Sequence, residues 1–103
     1  GTMCEVTYTR YYPATVNSDA EVALALAAAE AAGLQAEVAP RPAFTSEDFA
    51  FMLQQRPGSF VRLGNGEGED GCMVHNPKYD FNDRNLPIGA AFWTRLVERY
   101  LGQ

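Results

Sequence analysis

The chain has 103 residues, of which 47% are hydrophobic, and a formal net charge of −5. That length fits one small domain, and the hydrophobic content is too high for a disordered chain. The basic residues are few and scattered, which argues against nucleic acid or an anionic membrane as a partner, because both need a concentrated basic surface. The sequence lacks the roughly 18 to 20 consecutive apolar residues of a membrane span. Two cysteines without CxxC spacing favour reduced thiols, so we expect a cytoplasmic protein.

The N-terminal third predicts a strand followed by a helix. Apolar and polar side chains alternate over residues 3–11, a period of two that is typical of a half-exposed strand. The segment Ser18-Asp19-Ala20-Glu21 fits a capping box, in which the serine caps the helix start and the glutamate reaches back. A helix should therefore run from Asp19 to about Ala32, and Gly33 should end it in the left-handed conformation.

The middle of the chain predicts a strand, a helix and a second strand. Residues 35–39 could form a short strand before the rigid Pro40-Arg41-Pro42 segment. Thr45 or Ser46 can then cap a second helix. Arg56-Pro57-Gly58 should close that helix, and residues 59–63 read as a buried strand.

The last third predicts a loop and a long helix. Residues 64–71 are glycine-rich and acidic, which is typical of a mobile loop. Order should resume at residues 73–75, and Asn76-Pro77 should then turn the chain. A final helix should begin between Asp83 and Pro87, with Phe92, Leu96 and Tyr100 along one stripe. Strands alternating with helices in this order favour an α/β layered domain.

His75, the only histidine, is the first candidate for chemistry. It follows an apolar pair at a strand-to-turn junction, where rigid scaffolds often hold functional side chains. A neutral imidazole there could ligate zinc, manganese or a related metal, but a lone histidine is more often structural. The neighbouring carboxylates have ordinary roles available as solvated charges or helix caps. These residues are Glu67, Glu69, Asp70, Asp80 and Asp83.

The second candidate is the segment Thr45-Ser46-Glu47-Asp48. A helix start presents unpaired N–H groups and can hold a substrate carboxylate or a phosphate. Ordinary capping explains the same residues, and the two acids would repel an anion unless they point aside. The glycines from Gly64 to Gly68 do not have the spacing of a phosphate-binding loop, so we reject that interpretation.

Several segments together resemble hippurate hydrolases and auxin-conjugate amidohydrolases, a family of binuclear metallopeptidases related to aminoacylases and carboxypeptidase-like enzymes. The resemblance spans nearly the whole chain in the right order. The most specific piece is His75-Asn76-Pro77-Lys78-Tyr79-Asp80-Phe81-Asn82-Asp83, followed by Leu86-Pro87-Ile88-Gly89-Ala90. The others are Tyr11-Tyr12-Pro13-Ala14-Thr15-Val16-Asn17, Ser46-Glu47-Asp48-Phe49-Ala50-Phe51-Met52-Leu53, Arg56-Pro57-Gly58-Ser59-Phe60 and Leu63-Gly64-Asn65-Gly66.

The resemblance implies a fold and a domain division. The chain would be the C-terminal part of a mixed-sheet α/β/α metallopeptidase catalytic domain, preceded by the last strand of an inserted lid or dimerisation domain. Residues 1–12 would supply that strand and the hinge, and residues 13–103 would belong to the catalytic domain.

The resemblance also implies a reaction: hydrolysis of the amide bond of N-acyl amino acids. Two divalent metal ions (zinc, manganese, cobalt or nickel) would activate water, and His75 occupies the position of a metal ligand. Thr45, Ser46 and Glu47 match a segment that lies beside the substrate carboxylate in related members. Many members have glycine where Thr45 or Ser46 stands in this chain.

The family's other metal ligands and its general base belong to an N-terminal half. The 103 residues of this chain contain none of the motifs that carry them. We therefore assign no general base or nucleophile here and expect the chain alone to be inactive. The expected partners are an N-acyl amino acid, the N-terminal half of the same enzyme and a second copy in a homo-oligomer. The alternative function is a non-catalytic module that pairs through an exposed edge strand from Cys4 to Tyr11.

Overall fold

A computed structural model describes residues 1–66 and 74–102. In these ranges the regular elements are three helices: α1 (Asp19–Ala31), α2 (Phe49–Leu53) and α3 (Asn85–Leu101). The expected α/β fold is wrong, because the described residues contain no strand and no sheet. A strand must pair its backbone groups with a neighbour, and local alternation of side chains does not supply one.

Residues 3–11 show this most clearly. The alternating segment has no strand structure, and its apolar side chains lie in solvent, from 77% exposed at Tyr11 to 97% at Met3. The predicted strands at residues 35–39 and 59–63 are likewise irregular. The predicted loop at residues 64–71 and the return to order at Met73 fall mainly outside the described residues. The division into residues 1–12 and 13–103 stays a prediction.

The boundaries of α1 agree with the prediction, but the cap at its start does not. The Ser18 hydroxyl makes no cap hydrogen bond; it accepts one from the Gly58 N–H (3.2 Å). At the other end, Gly33 has φ +73°, and its N–H donates to the Glu30 carbonyl while the Leu34 N–H donates to that of Ala29. These two bonds form a Schellman motif, so the predicted glycine stop is confirmed.

The small core lies between α1 and α3, which pack against each other. Three alanines of α1 that share one face are buried against Phe92 of α3, with Leu34 and Leu96 partly buried beside them; these alanines are Ala25, Ala28 and Ala29. Alanine side chains allow the two helices to approach closely. Phe92 and Leu96 lie on the predicted stripe of α3, whereas Tyr100 is 67% exposed.

Two asparagines hold the segment 58–66, which connects α2 to the C-terminal half. At its start, the Asn17 side chain accepts a hydrogen bond from the Phe60 N–H (2.8 Å) and donates to the Phe60 carbonyl (3.4 Å). In its middle, Leu63 lies against Gly89 of α3. At its end, Asn65 is bonded to the residues that precede α3. The segment is therefore fixed at both ends by side chains rather than by strand pairing.

Candidate metal-ligand site

His75 has an unusual backbone conformation. Its φ is +68°, and among the described residues it is the only non-glycine residue with a positive φ. The left-handed region costs most L-residues roughly 1–2 kcal/mol. Such conformations persist where the surroundings impose them, and they cluster at ligand-binding and active sites. The side chain is exposed, so the imidazole is accessible.

A tight turn follows His75. The Tyr79 N–H donates to the Asn76 carbonyl (2.9 Å), and the Lys78 N–H donates to the Asn76 side-chain oxygen (2.9 Å). The second bond is an Asx turn, with Pro77 fixing one backbone angle inside it. The predicted turn at Asn76-Pro77 is confirmed, and it leads the chain from His75 directly to Asp80.

Asn65 holds the far side of this turn. Its Nδ2 donates to the Asp80 carbonyl (3.0 Å), and its Oδ1 accepts from the Asn82 N–H (2.9 Å). The Asn82 side chain returns a bond to the Asn65 carbonyl (3.3 Å). Three hydrogen bonds thus join Asn65 to residues 80–82; we call this arrangement the Asn65 clamp.

A further hydrogen bond connects the clamp to α3. Asn85, the first residue of α3, is 7% exposed, and its side-chain nitrogen donates to the Gly64 carbonyl (2.8 Å). A buried amide without a partner would cost free energy, so this bond fixes the register of the helix start against residue 64. The chain therefore runs from His75 to the anchored start of α3 within ten residues.

Sequence reasoning missed Asn65, Asn82 and Asn85 as a group. The available signal was three asparagines in turn contexts, since this side chain readily bonds to nearby backbone groups. Which backbone each would meet depends on contacts 15 to 21 residues apart, which no local pattern contains.

The second candidate segment lies elsewhere. Thr45 and Ser46 are exposed and Glu47 is half-buried. α2 begins at Phe49, later than predicted, and has five residues; the residue before it, Asp48, makes no cap bond. The predicted cap by Thr45 or Ser46 is therefore wrong. The hydrogen bonds of the described residues do not connect residues 45–47 to His75.

Within residues 1–66 and 74–102, no three histidine, cysteine, aspartate or glutamate side chains cluster as a metal site would require. Asp80 and Asp83 are exposed, as expected of solvated charges. Glu67, Glu69, Asp70 and Cys72 lie outside the described residues. His75 is thus a chemically suitable single ligand, with an accessible imidazole that would complete a site only with ligands from other parts of the polypeptide.

The sequence profile of peptidase family M20/M25/M40 matches residues 2–99. The chain belongs to this family. The predicted family resemblance is confirmed, and members of peptidase family M20/M25/M40 are in general metal-dependent.

Curated members of the family align with most of the chain. It is 32% identical to a hippurate hydrolase of Campylobacter jejuni over 86% of this chain and 23% of that protein. It is 36% identical to the putative amidohydrolase YhaA of Bacillus subtilis (87% and 24%) and 32% identical to the IAA-amino acid hydrolase ILR1-like 4 of Arabidopsis thaliana (88% and 21%). The chain thus spans about a quarter or less of the length of these relatives. No solved structure matches it.

Among the described residues, none of the helices is long and apolar enough to cross a membrane.

Proposed function

We propose that the full-length protein containing this chain is a metal-dependent amidohydrolase of N-acyl amino acids, and that His75 is one of its metal ligands. The observation that carries the proposal is the accessible imidazole of His75, held at φ +68° in a chain of this family. A backbone conformation that is unfavourable for histidine is retained at the residue whose side chain the proposal needs.

The proposed role of His75 is to hold a divalent cation through one imidazole nitrogen. A bound cation supplies Lewis acidity, which polarises the scissile carbonyl and makes a water molecule more acidic. The turn at residues 76–79 and the Asn65 clamp would keep the imidazole in place while the substrate changes around it. Two cations, chosen from zinc, manganese, cobalt and nickel, are proposed for the complete site.

The proposed substrate class comes from the relatives. One is named for hippurate and another for an IAA–amino acid compound, and both names denote an acyl group joined to an amino acid. Such a substrate carries a free carboxylate beside the amide. Thr45, Ser46 and Glu47 are proposed to lie near that carboxylate. This part of the proposal rests on the family resemblance, because α2 has only five residues and begins after them, at Phe49.

The remaining ligands and the general base are proposed to come from the N-terminal half of the same enzyme. A homo-oligomer is also proposed, as is a cytoplasmic location. The 103-residue chain alone should then show no hydrolysis of an acyl amino acid with added manganese or zinc, because one imidazole does not make a catalytic site.

The test replaces His75 by alanine in the full-length protein. Hydrolysis of hippurate and bound manganese or zinc should both fall, by at least about 100-fold for hydrolysis, because a direct ligand matters at least as much as the groups that orient it. Val74→Ala, at the adjacent exposed residue, is the matched control and should retain both. Full activity and full metal content in the His75→Ala protein would refute the proposal.

A further inference from the structure

We infer that Asn65 is a positioning residue for the metal site: its side chain fixes the His75-bearing segment against α3. The inference rests on the proposed function, in which His75 binds a metal. Asn65 itself is not proposed to touch the metal or the substrate.

The bonding of the Asn65 side chain supports this role. Its amide uses both ends on one short stretch of backbone, donating to the Asp80 carbonyl (3.0 Å) and accepting from the Asn82 N–H (2.9 Å). This reproduces the pair of bonds that a neighbouring strand would offer, in a part of the chain where no strand is present among the described residues. The Asp80 carbonyl and the Asn82 N–H therefore depend on the Asn65 side chain for these hydrogen bonds.

The constraint reaches His75 through a short and internally bonded path. Four residues separate His75 from Asp80, and all four form the turn closed by the Tyr79 N–H and the Asn76 carbonyl. The Lys78 N–H bond to the Asn76 side chain tightens the same turn. A displacement at Asp80 would therefore be passed to His75 rather than absorbed between them.

A metal ligand benefits from being held before the metal arrives. If the His75 segment moved freely, binding would have to order it, and that ordering would subtract from the affinity. Loss of a group that orients a metal ligand typically lowers metal affinity or activity by about 10- to 100-fold. Asn65 should have an effect of that size, although its side chain is 15 residues from Asp80 in sequence.

Asn17, which lies outside segment 58–66 but bonds to its start, provides a matched control. Its side chain also bonds both backbone groups of a distant stretch, at Phe60 (2.8 and 3.4 Å). It holds the opposite end of segment 58–66, away from the turn that follows His75. Replacing Asn17 or Asn65 by alanine removes one donated and one accepted hydrogen bond to the backbone. A general loss of stability would therefore affect both variants alike.

The experiment measures Mn²⁺ affinity, by competition with a chelating dye, in the full-length protein and in four variants: Asn65→Ala, Asn65→Asp, Asn17→Ala and His75→Ala. Thermal unfolding of each metal-free protein is recorded alongside. Asn65→Ala should bind Mn²⁺ about 10- to 100-fold more weakly. Asn65→Asp retains the acceptor for the Asn82 N–H but sets a carboxylate oxygen against the Asp80 carbonyl, so it should also bind Mn²⁺ more weakly than the wild type. Asn17→Ala should lower the melting temperature as Asn65→Ala does and leave the affinity unchanged.

The outcomes separate the two proposals. If His75→Ala binds Mn²⁺ as tightly as the wild type, the proposed function fails. If His75→Ala weakens binding but Asn65→Ala does not, or if Asn17→Ala weakens it equally, the positioning role is overturned and the proposed function stands. Should Asn65→Ala not fold, Asn65→Asp decides: weakened binding supports the inference, and wild-type affinity overturns it.

Discussion

At the scale of single residues, His75 combines an accessible side chain with a costly backbone conformation. The two features can be tested separately. The side chain would bind the proposed metal, whereas the φ of +68° lowers the stability of the folded chain. A glycine accepts that φ without strain, whereas alanine meets the same clash as histidine.

This separation yields a stability prediction. In the metal-free full-length protein, His75→Gly should be more stable than His75→Ala by about 1 kcal/mol, because both lose the imidazole and only glycine relieves the left-handed strain. Chemical denaturation of the two variants under identical conditions measures the difference. Equal stabilities, or a more stable alanine variant, would show that residue 75 is not held in the left-handed region.

At the scale of elements, the C-terminal end of α1 is set by local chemistry. Gly33 ends α1 with φ +73°, and a Cβ added there would meet no atom within 4 Å. A substitution at this position therefore tests conformation alone, without a steric clash.

Gly33→Ala should destabilise the protein by about 1–2 kcal/mol through loss of the favourable left-handed stop. Gly64→Ala is the matched control, since its surroundings are equally open and its φ lies outside the left-handed region, and it should change stability little. Thermal unfolding compares the two. An equal effect of both substitutions would contradict the role assigned to the Gly33 motif.

The elements that could be predicted are those whose causes lie within a few residues. The Gly33 stop and the start of α3 at Asn85 follow from residues that are neighbours in sequence, and both were predicted. Strand formation at residues 3–11 needed a pairing partner, which local alternation could not supply, so that prediction was wrong. Ser18 was likewise misassigned, because its hydroxyl bonds to Gly58, 40 residues away.

The candidate site also has features that were predictable from neighbouring residues and features that depend on residues far apart in sequence. The turn that follows His75 was predictable from Asn76-Pro77, whereas His75 itself lies in a turn and not at the end of a strand as predicted. The Asn65 clamp was not predictable, since it joins residues 15 and 17 positions apart. The sequence therefore identifies His75 as a candidate ligand, whereas only the structure identifies the asparagines that hold its segment.

At the scale of the whole molecule, the chain is extended for its length. Its radius of gyration is 17.9 Å, against about 13 Å for a compact domain of 100 residues. Large apolar side chains remain exposed on α3, including Trp93 (63%), Val97 (51%) and Leu101 (74%). Among the described residues, the core between α1 and α3 consists of three alanines and one phenylalanine and buries little apolar surface, so the chain alone should be only marginally stable.

The most direct test of the central claim is a crystal structure of the full-length protein grown with zinc, with anomalous scattering used to place the metal. We predict an imidazole nitrogen of His75 at about 2.0–2.1 Å from a zinc ion whose other ligands come from outside this chain. A fully occupied zinc site with the His75 ring turned away from the metal would contradict the account.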